Sequence, residues 1–427
     1  MINDSRALRD LPVIAVGIII ATIPLEISKL FLPAFGSANL VDGRVASSVD
    51  FARLAILLLL GLVVAARQGA MAIVPRGTLS GLIAAFTAVA VASVLWSEAP
   101  AATINEAIRL AFFVMGYAAI VAALDTEEAV KKAVTILEYV LFVVACAAIV
   151  QKVTGVFLWN FPLRPSGRVN LTYADPNHLG GHIALGLVLF AADREPSTSG
   201  TATRRYLMMI ALLFGGGLMT GSRSSLLALL IGLMYVTVRG ARLGSRWPRR
   251  VLLFVGGLVA VVFVVDVEVR DRFTTLLHAG RLGPRQKLIN AGWAMYLDHP
   301  IAGVGMGAFP NVFSADYPQL FSYYGSAGVN SHTSAMTILA ELGLVGIALM
   351  VAVLVSAFTR PPRLHLYRAA ARRRLGLEAG LLVLVLTSQS EGRLIQDPLF
   401  WVVLALIGAL DRNLRRTENG ATQRIRS

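Results

Sequence analysis

The sequence predicts an all-α, polytopic integral membrane protein with about 12 transmembrane helices and a large periplasmic loop domain that contains short helices. The chain has 427 residues, of which 56% are hydrophobic and only 15% are charged. Soluble domains carry about a quarter charged residues. Long apolar runs recur along the chain, and short, mostly basic connections separate them. Because a segment in lipid must satisfy its own backbone hydrogen bonds, each run predicts a helix. A soluble enzyme, a secreted disulfide scaffold and a disordered protein are excluded.

The apolar runs define the order of the predicted elements. The predicted spans are 11–25, 49–66, 77–96, 107–124, 133–151, 178–192, 206–219, 222–238, 251–266, 342–358, 376–390 and 397–410. The chain therefore divides into 1–266 with the first nine spans, a loop domain at 267–331, 332–410 with the last three spans, and a basic tail at 411–427.

The basic residues set the predicted orientation. The net charge is +14, and the short basic runs 239–250 and 360–374 directly flank spans. Lys and Arg concentrate on the cytoplasmic side of membrane proteins, so both termini are predicted to be cytoplasmic in a bacterial inner membrane. This topology also explains the basic charge without a nucleic-acid partner. The single cysteine, Cys146, lies inside an apolar run and is interpreted as a small buried hydrophobic residue.

Two connections on the predicted outer side are long, namely 152–177 and 267–331. Loops of this length are usually functional or disordered, and the second one is too rich in aromatic residues for disorder. Its stretch 285–297 has helical spacing. We therefore expect a folded outer domain with one or two helices over the bundle.

Charged residues inside or next to the predicted spans are few and include Arg53, Arg109, Glu138, Glu341 and Glu378. Ion-driven transporters usually need charged relays near the midplane, so this scarcity argues against transport. The sequence has no His-Glu-x-x-His motif and no cysteine pair, and we predict no metal site. The glycine-rich stretch 303–307 follows no strand and predicts a tight turn.

Positive side chains on the outer face are the first candidates for chemistry. Arg223 lies in a short turn between two apolar helices, where its charge needs a nearby anion. A guanidinium group suits a phosphate, and a structural pair with Asp175 or Glu391 is the alternative. His332 opens a helix at the membrane boundary of the longest outer loop. A neutral imidazole there could take a proton from an acceptor hydroxyl, and a purely structural histidine is the alternative.

Several short segments, taken together in their order, resemble the O-antigen ligase and polymerase family of bacterial envelope proteins. The resemblance covers roughly residue 96 to the C-terminus. The matching segments are Trp-Ser-Glu-Ala-Pro at 96–100, Asp-Pro-Asn at 175–177, Thr-Gly-Ser-Arg at 220–223, Arg285 with Trp293 and the glycine-rich 298–307, and His332 with Leu-Ala-Glu-Leu-Gly-Leu-Val-Gly at 339–346.

The resemblance implies an inverting, metal-independent glycosyltransferase without a cofactor that acts on the periplasmic face. Its partners would be membrane lipids, an undecaprenyl-diphosphate-linked glycan donor, and either a lipid A–core acceptor or a lipid-linked glycan acceptor. A ligase transfers the finished polymer to the lipid A–core, whereas an O-antigen or exopolysaccharide polymerase joins lipid-linked repeat units. Twelve spans favour the ligase, and arginines in both outer loops leave the polymerase open. A polyprenyl-linked glycan transporter is the alternative from another class.

The resemblance also implies roles for individual residues. His332 would be the catalytic residue that acts on the acceptor hydroxyl. Arginines would neutralise the leaving diphosphate without a metal, and the candidates are Arg223, Arg285, Arg168 and Arg281. Supporting residues at the same face would be Arg164, Asp175, Asn177 and Glu391.

Overall fold

The protein is described by a computed structural model. The structure describes residues 4–24, 56, 58–59, 61, 76–157, 161–162, 167–173, 175–193, 200–265, 283–316, 331–359 and 367–426. The described helices are α1 (Asp4–Thr22), α2 (Thr78–Ala92), α3 (Pro100–Ala123), α4 (Glu127–Thr154), α5 (Pro176–Asp193), α6 (Gly200–Met219), α7 (Arg223–Ala241), α8 (Trp247–Val265), α9 (Gly283–Asp298), α10 (Phe309–Asp316), α11 (Ser334–Phe358), α12 (Arg368–Ser388) and α13 (Pro398–Arg426).

The predicted all-helical membrane architecture is confirmed in its main features. A described helix overlaps each predicted span except 49–66, most of which lies outside the described residues. Among the described helices, six are long and apolar enough to cross a membrane, so the total of 12 crossings stays a prediction. The described part of the chain also contains one small addition, an antiparallel pair of strands, β1 (Val156–Phe157) and β2 (Phe161–Pro162).

Several helices start earlier than the apolar runs indicated. The span predicted at 342–358 belongs to α11, which begins at Ser334, and the span predicted at 107–124 belongs to α3, which begins at Pro100. Hydropathy detects only the apolar stretch of a helix. Polar residues in the first turns continue the same hydrogen-bond ladder, so the helix is longer than its apolar part.

Helix α5 is the centre of the bundle, and it packs against α7 and α12. All of its residues from Pro176 to Ala192 are buried. Two adjacent glycines allow this close packing near its first turns. A Cβ on Gly180 would lie 2.7 Å from Ser225 Oγ, and a Cβ on Gly181 would lie 2.7 Å from Thr387 Oγ1. The N-terminal part of α5 is thereby held directly against the start of α7 and the end of α12.

The helix predicted over 285–297 is present as α9, and it packs against α11. The glycine-rich stretch that follows α9 forms a turn in which Gly303, Gly305 and Gly307 all have positive φ angles. Gly303 lies against the backbone of Glu341, where a Cβ would come within 2.3 Å of the carbonyl carbon. The backbone of α11 is non-helical at Gly343, so the turn packs into a kink of this helix.

Candidate functional site

The starts of four helices, α5, α7, α11 and α13, meet at one end of the bundle, which we call the site end. Ser225 Oγ in α7 donates a hydrogen bond to the carbonyl of Asn177 in α5 at 3.1 Å. The segment between α12 and α13, residues 389–397, lies beside them. Ser224 Oγ and Ser390 Oγ are 2.8 Å apart, and Ser334 Oγ, at the start of α11, lies 3.0 Å from the backbone nitrogen of Leu394. These contacts join elements that are far apart in the sequence.

Helix N-termini carry unpaired backbone N–H groups and a partial positive charge. At the site end, the carboxylates of Asp175 and Asp397 cap α5 and α13, and the Ser222 hydroxyl caps α7, so this end of the bundle favours negative groups. The predicted diphosphate-binding arginines Arg223 and Arg168 are located at this same end.

His332 lies at the site end, directly before α11. Its φ angle is 56°, a left-handed conformation that is costly for a residue other than glycine and that is common at functional sites. Gly392 packs closely against this backbone, because a Cβ at that position would lie 3.2 Å from the Cα of His332. The neighbouring turn therefore holds the backbone of His332 in place.

The electrostatic surroundings of His332 favour a neutral imidazole. Burial lowers its pKa from the ordinary value of 6.5, and the positive charges of Arg285 and Arg393 lower the pKa further, while Asp175 acts in the opposite direction. A neutral imidazole at physiological pH is able to accept a proton. This group of neighbours also shows that Arg285, which is exposed at the start of α9, lies within electrostatic range of His332.

Glu391 is buried in the turn beside His332. Burial is the main cause that raises its pKa to about 8; His178 and Arg393 act against this effect, and Asp175 and Asp397 add to it. Within the described part of the chain, its Oε1 atom has no hydrogen-bond partner. Such an atom is costly to leave unsatisfied, so Glu391 is available to a ligand.

Arg168 and the Asp-Pro-Asn segment organise the turn that carries Arg223. Arg168 Nε donates to the carbonyl of Thr220 at 2.7 Å, and its Nη2 donates to Asn177 Oδ1 at 2.7 Å. Asp175 Oδ1 accepts from the backbone N–H of Asn177 at 2.7 Å, which caps α5. In this structure Arg168 and Asn177 therefore bind the protein itself, and they position the Thr-Gly-Ser-Arg turn.

Arg223 is the first residue of α7 and lines an apolar groove between α5, α6 and α7. The groove is small and holds about 60 Å³ of space that a water-sized sphere can occupy. Most of its walls are apolar, as at Ile183, Leu213 and Leu226. The arrangement combines a guanidinium group at the site end with a hydrophobic path along the helices, which suits a lipid with a charged head group.

The other matching segments form a separate scaffold. Trp96 Nε1 donates to the carbonyl of Ala302 at 3.2 Å, and the backbone nitrogen of Glu98 donates to the carbonyl of Val304 at 3.0 Å. Glu341 accepts a hydrogen bond from the backbone of Phe309. These segments therefore connect the 96–100 loop, the glycine-rich turn and the kink of α11, and they hold α9 and Arg285 in place.

Sequence reasoning missed a buried cluster behind Glu391. His178 and His182 in α5 surround the carboxylate of Asp397, which directly precedes α13. One signal was available in the sequence, because the two histidines are four residues apart at the start of a predicted span. Asp397 lies far from them in the sequence, so no local pattern pointed to it. Arg393 was missed as well.

Two predicted site residues, Arg164 and Arg281, lie outside the described residues, as does the 317–330 part of the predicted loop domain. Of the predicted residues that are described, His332, Arg223, Arg168, Asp175, Asn177 and Glu391 lie at the site end, with Arg285 within electrostatic range. Their roles in catalysis stay predictions.

Comparison with known proteins found one matching family model. A family model described as O-Antigen ligase matches residues 208–351, from α6 into α11. The matched segment contains Arg223, Arg285 and His332, and it covers less than half of the chain. No curated protein matches the sequence. The match at residues 208–351 agrees with the resemblance to the O-antigen ligase and polymerase family that the motifs indicated.

Proposed function

We propose that the protein is an O-antigen ligase, a metal-independent inverting glycosyltransferase that moves an undecaprenyl-diphosphate-linked polysaccharide to a lipid A–core sugar on the periplasmic face. The observation that carries this proposal is Arg223, which stands where an apolar groove meets the four helix N-termini. The apolar walls of the groove suit the first part of a polyprenyl tail, and the positive end suits a diphosphate.

The arginines would stabilise the leaving group. In an inverting transfer, the acceptor oxygen bonds to the anomeric carbon from one face while the bond from that carbon to the diphosphate breaks on the other. Undecaprenyl diphosphate leaves with the electron pair of this bond. Arg223 and Arg285 would bind the negative charge that develops there, and preorganised donors of this kind need no metal. Helix N-termini at the same place favour the same charge.

His332 would act on the acceptor. Its lowered pKa keeps the imidazole neutral, so it can take the proton from the acceptor hydroxyl as that oxygen attacks. A chain of contacts supports its proximity to Arg223: Ser224 follows Arg223 and contacts Ser390, and the turn 390–392 packs against the backbone of His332. The acid–base group and the diphosphate-binding group are therefore on adjoining elements.

A deletion strain tests the proposed function and separates it from polymerisation. If the protein is a ligase, the strain should carry lipopolysaccharide that ends at the core, with long polymer stranded on undecaprenyl diphosphate. Core that carries a single repeat unit would identify a polymerase instead. A transporter would be identified if lipid-linked glycan accumulated on the cytoplasmic face while the glycan that still reached the periplasmic face was transferred normally. The control strain carries the wild-type gene in trans and should restore the normal pattern.

A further inference from the structure

The buried cluster formed by His178, His182 and Asp397 has the composition of a metal site. The two histidines are four residues apart in α5 and therefore lie on one face of the helix. His182 Nε2 lies 3.1 Å from Asp397 Oδ2, and His178 Nε2 lies 3.6 Å from the same oxygen. One ligand atom from each residue can be chosen so that all three lie within 4.8 Å of one another.

These separations match the spacing of ligands around a tetrahedral ion. Zinc binds imidazole nitrogen and carboxylate oxygen at about 2.0–2.2 Å, and a tetrahedron with such bonds holds its ligand atoms about 3.4 Å apart. The two measured N···O separations, 3.1 Å and 3.6 Å, lie on either side of this value. An ion could therefore enter between the three side chains with only small shifts.

The groups around the cluster orient its ligand atoms in the way that metal sites require. Leu399 donates its backbone N–H to Asp397 Oδ1 at 2.8 Å. His182 Nε2 lies 3.1 Å from both carboxylate oxygens, and Oδ2 also faces His178. The hydroxyl of Tyr173 lies 3.0 Å from His182 Nδ1, and this contact fixes the ring with Nε2 towards Asp397. Partners of this kind on the second nitrogen of a ligating histidine raise metal affinity.

We propose that His178, His182 and Asp397 bind one divalent transition-metal ion, for which Zn²⁺ has the matching spacing. Glu391 is a candidate for the fourth ligand because its Oε1 is buried and has no hydrogen-bond partner in the described ranges, although it lies outside the group of three whose ligand atoms are within 4.8 Å of one another. The ion would join the start of α5 to the start of α13 beneath the turn that supports His332. It would be a structural ion behind the arginines, and this inference does not rest on the proposed transfer reaction.

Metal content of the full-length protein, purified in detergent without chelators, tests the proposal directly. We expect about one zinc ion per chain by elemental analysis. His178→Gln, His182→Gln and Asp397→Asn keep the size and hydrogen-bonding capacity of each side chain, and each should reduce the zinc content at least tenfold. The matched control is His299→Gln, because His299 pairs with Glu98 at 2.8 Å outside the cluster and is half exposed. It should retain the wild-type zinc content.

A second readout does not depend on variants that fold well. Wild-type protein stripped of metal should gain thermal stability when zinc is added, and cobalt in its place should produce the visible absorption of a tetrahedral complex. Tyr173→Phe should weaken zinc affinity about 10–100-fold. Wild-type protein that binds no metal and shows no zinc-dependent shift in Tm would overturn the proposal, and the cluster would then be held by hydrogen bonds alone. Zinc retained in all three ligand variants would also overturn it.

Discussion

Replacing His332 with glycine separates its proposed chemistry from its structural role. The residue has a φ angle of 56°, a conformation that costs a non-glycine residue about 1–2 kcal/mol and costs glycine little. Glycine loses about 0.5–1 kcal/mol to the greater entropy of the unfolded chain. The two effects nearly cancel, so His332→Gly should leave the free energy of unfolding within about 1 kcal/mol of wild type. His332→Ala would retain the strain.

The catalytic cost should be much larger than this change in stability. General-base catalysis contributes about 10²–10⁴-fold to a rate, which corresponds to about 2.7–5.5 kcal/mol of transition-state stabilisation. We therefore expect His332→Gly to reduce transfer by at least 10²-fold while donor binding survives. Because the substitution also leaves a space the size of an imidazole ring, added imidazole should restore part of the activity. His332→Gln should not respond, since its side chain occupies that space.

The pH dependence of transfer provides a further check on the same residue. The base must be neutral, and the pKa of His332 is lowered from 6.5 by burial and by two arginines. Activity should therefore fall only as the pH drops below 6.5, and the fall should be absent in His332→Gln. Near-normal transfer by His332→Gly, with protein levels unchanged and no effect of imidazole, would refute the assignment of a proton-transfer role.

Three further results are expected. Arg223→Ala and Arg285→Ala should each reduce transfer about 10²–10³-fold, and Lys at either position should restore only part of the activity. The control is Arg242→Ala at the opposite end of α7, which should transfer glycan at the wild-type rate. An equal loss of transfer in Arg242→Ala would show that the site is misplaced. In protein stripped of metal, burial raises the pKa of Glu391 from 4.5 to about 8, and its protonation favours the folded state. Thermal stability of the metal-free protein should therefore decline as pH rises through this interval; Glu391→Gln should flatten the decline, and an unchanged slope would contradict the assignment. In a cysteine-free background, an impermeant thiol reagent should label Lys287→Cys but not Arg242→Cys in cells with a permeabilised outer membrane, and the reverse pattern would invert the topology.

The sequence predicts the helical membrane architecture because length and hydropathy are local properties of each span. The helix α9 is predictable for the same reason, since its aromatic and aliphatic residues recur at helical spacing. The starts of helices are less predictable. Polar first turns, such as the one that begins at Ser334 in α11, lie outside the apolar window although they belong to the same helix.

The sequence could not show that the motifs form two groups, one at the site end and one in the scaffold that holds α9. Segments 96–100 and 298–307 look as suggestive of function as 220–223, yet they form a scaffold that is fixed by backbone hydrogen bonds and by close packing at Gly303 and Gly343. Such roles depend on which backbones meet in space. The partner of a buried histidine is equally non-local, because Asp397 is separated from His182 by more than 200 residues.

The role of Arg168 also depends on three-dimensional contacts. In the sequence it is one of several basic residues in an outer loop and was grouped with the diphosphate-binding arginines. In the structure two of its donors contact Thr220 and Asn177, so it is well placed to fix the turn that presents Arg223. The type of a residue indicates which interactions its side chain can make. Only its hydrogen-bond partners in the folded structure show whether the side chain binds the protein itself.

Transfer by the purified protein is the most direct measurement of the central claim. Full-length protein in lipid nanodiscs would be supplied with an undecaprenyl-diphosphate-linked glycan and a lipid A–core acceptor, without ATP, an ion gradient or magnesium. We expect a glycosylated acceptor with inverted anomeric configuration, free undecaprenyl diphosphate in equal amount, and no increase when magnesium is added. Product that forms only with magnesium, or glycan that crosses the bilayer without transfer, would contradict the central claim.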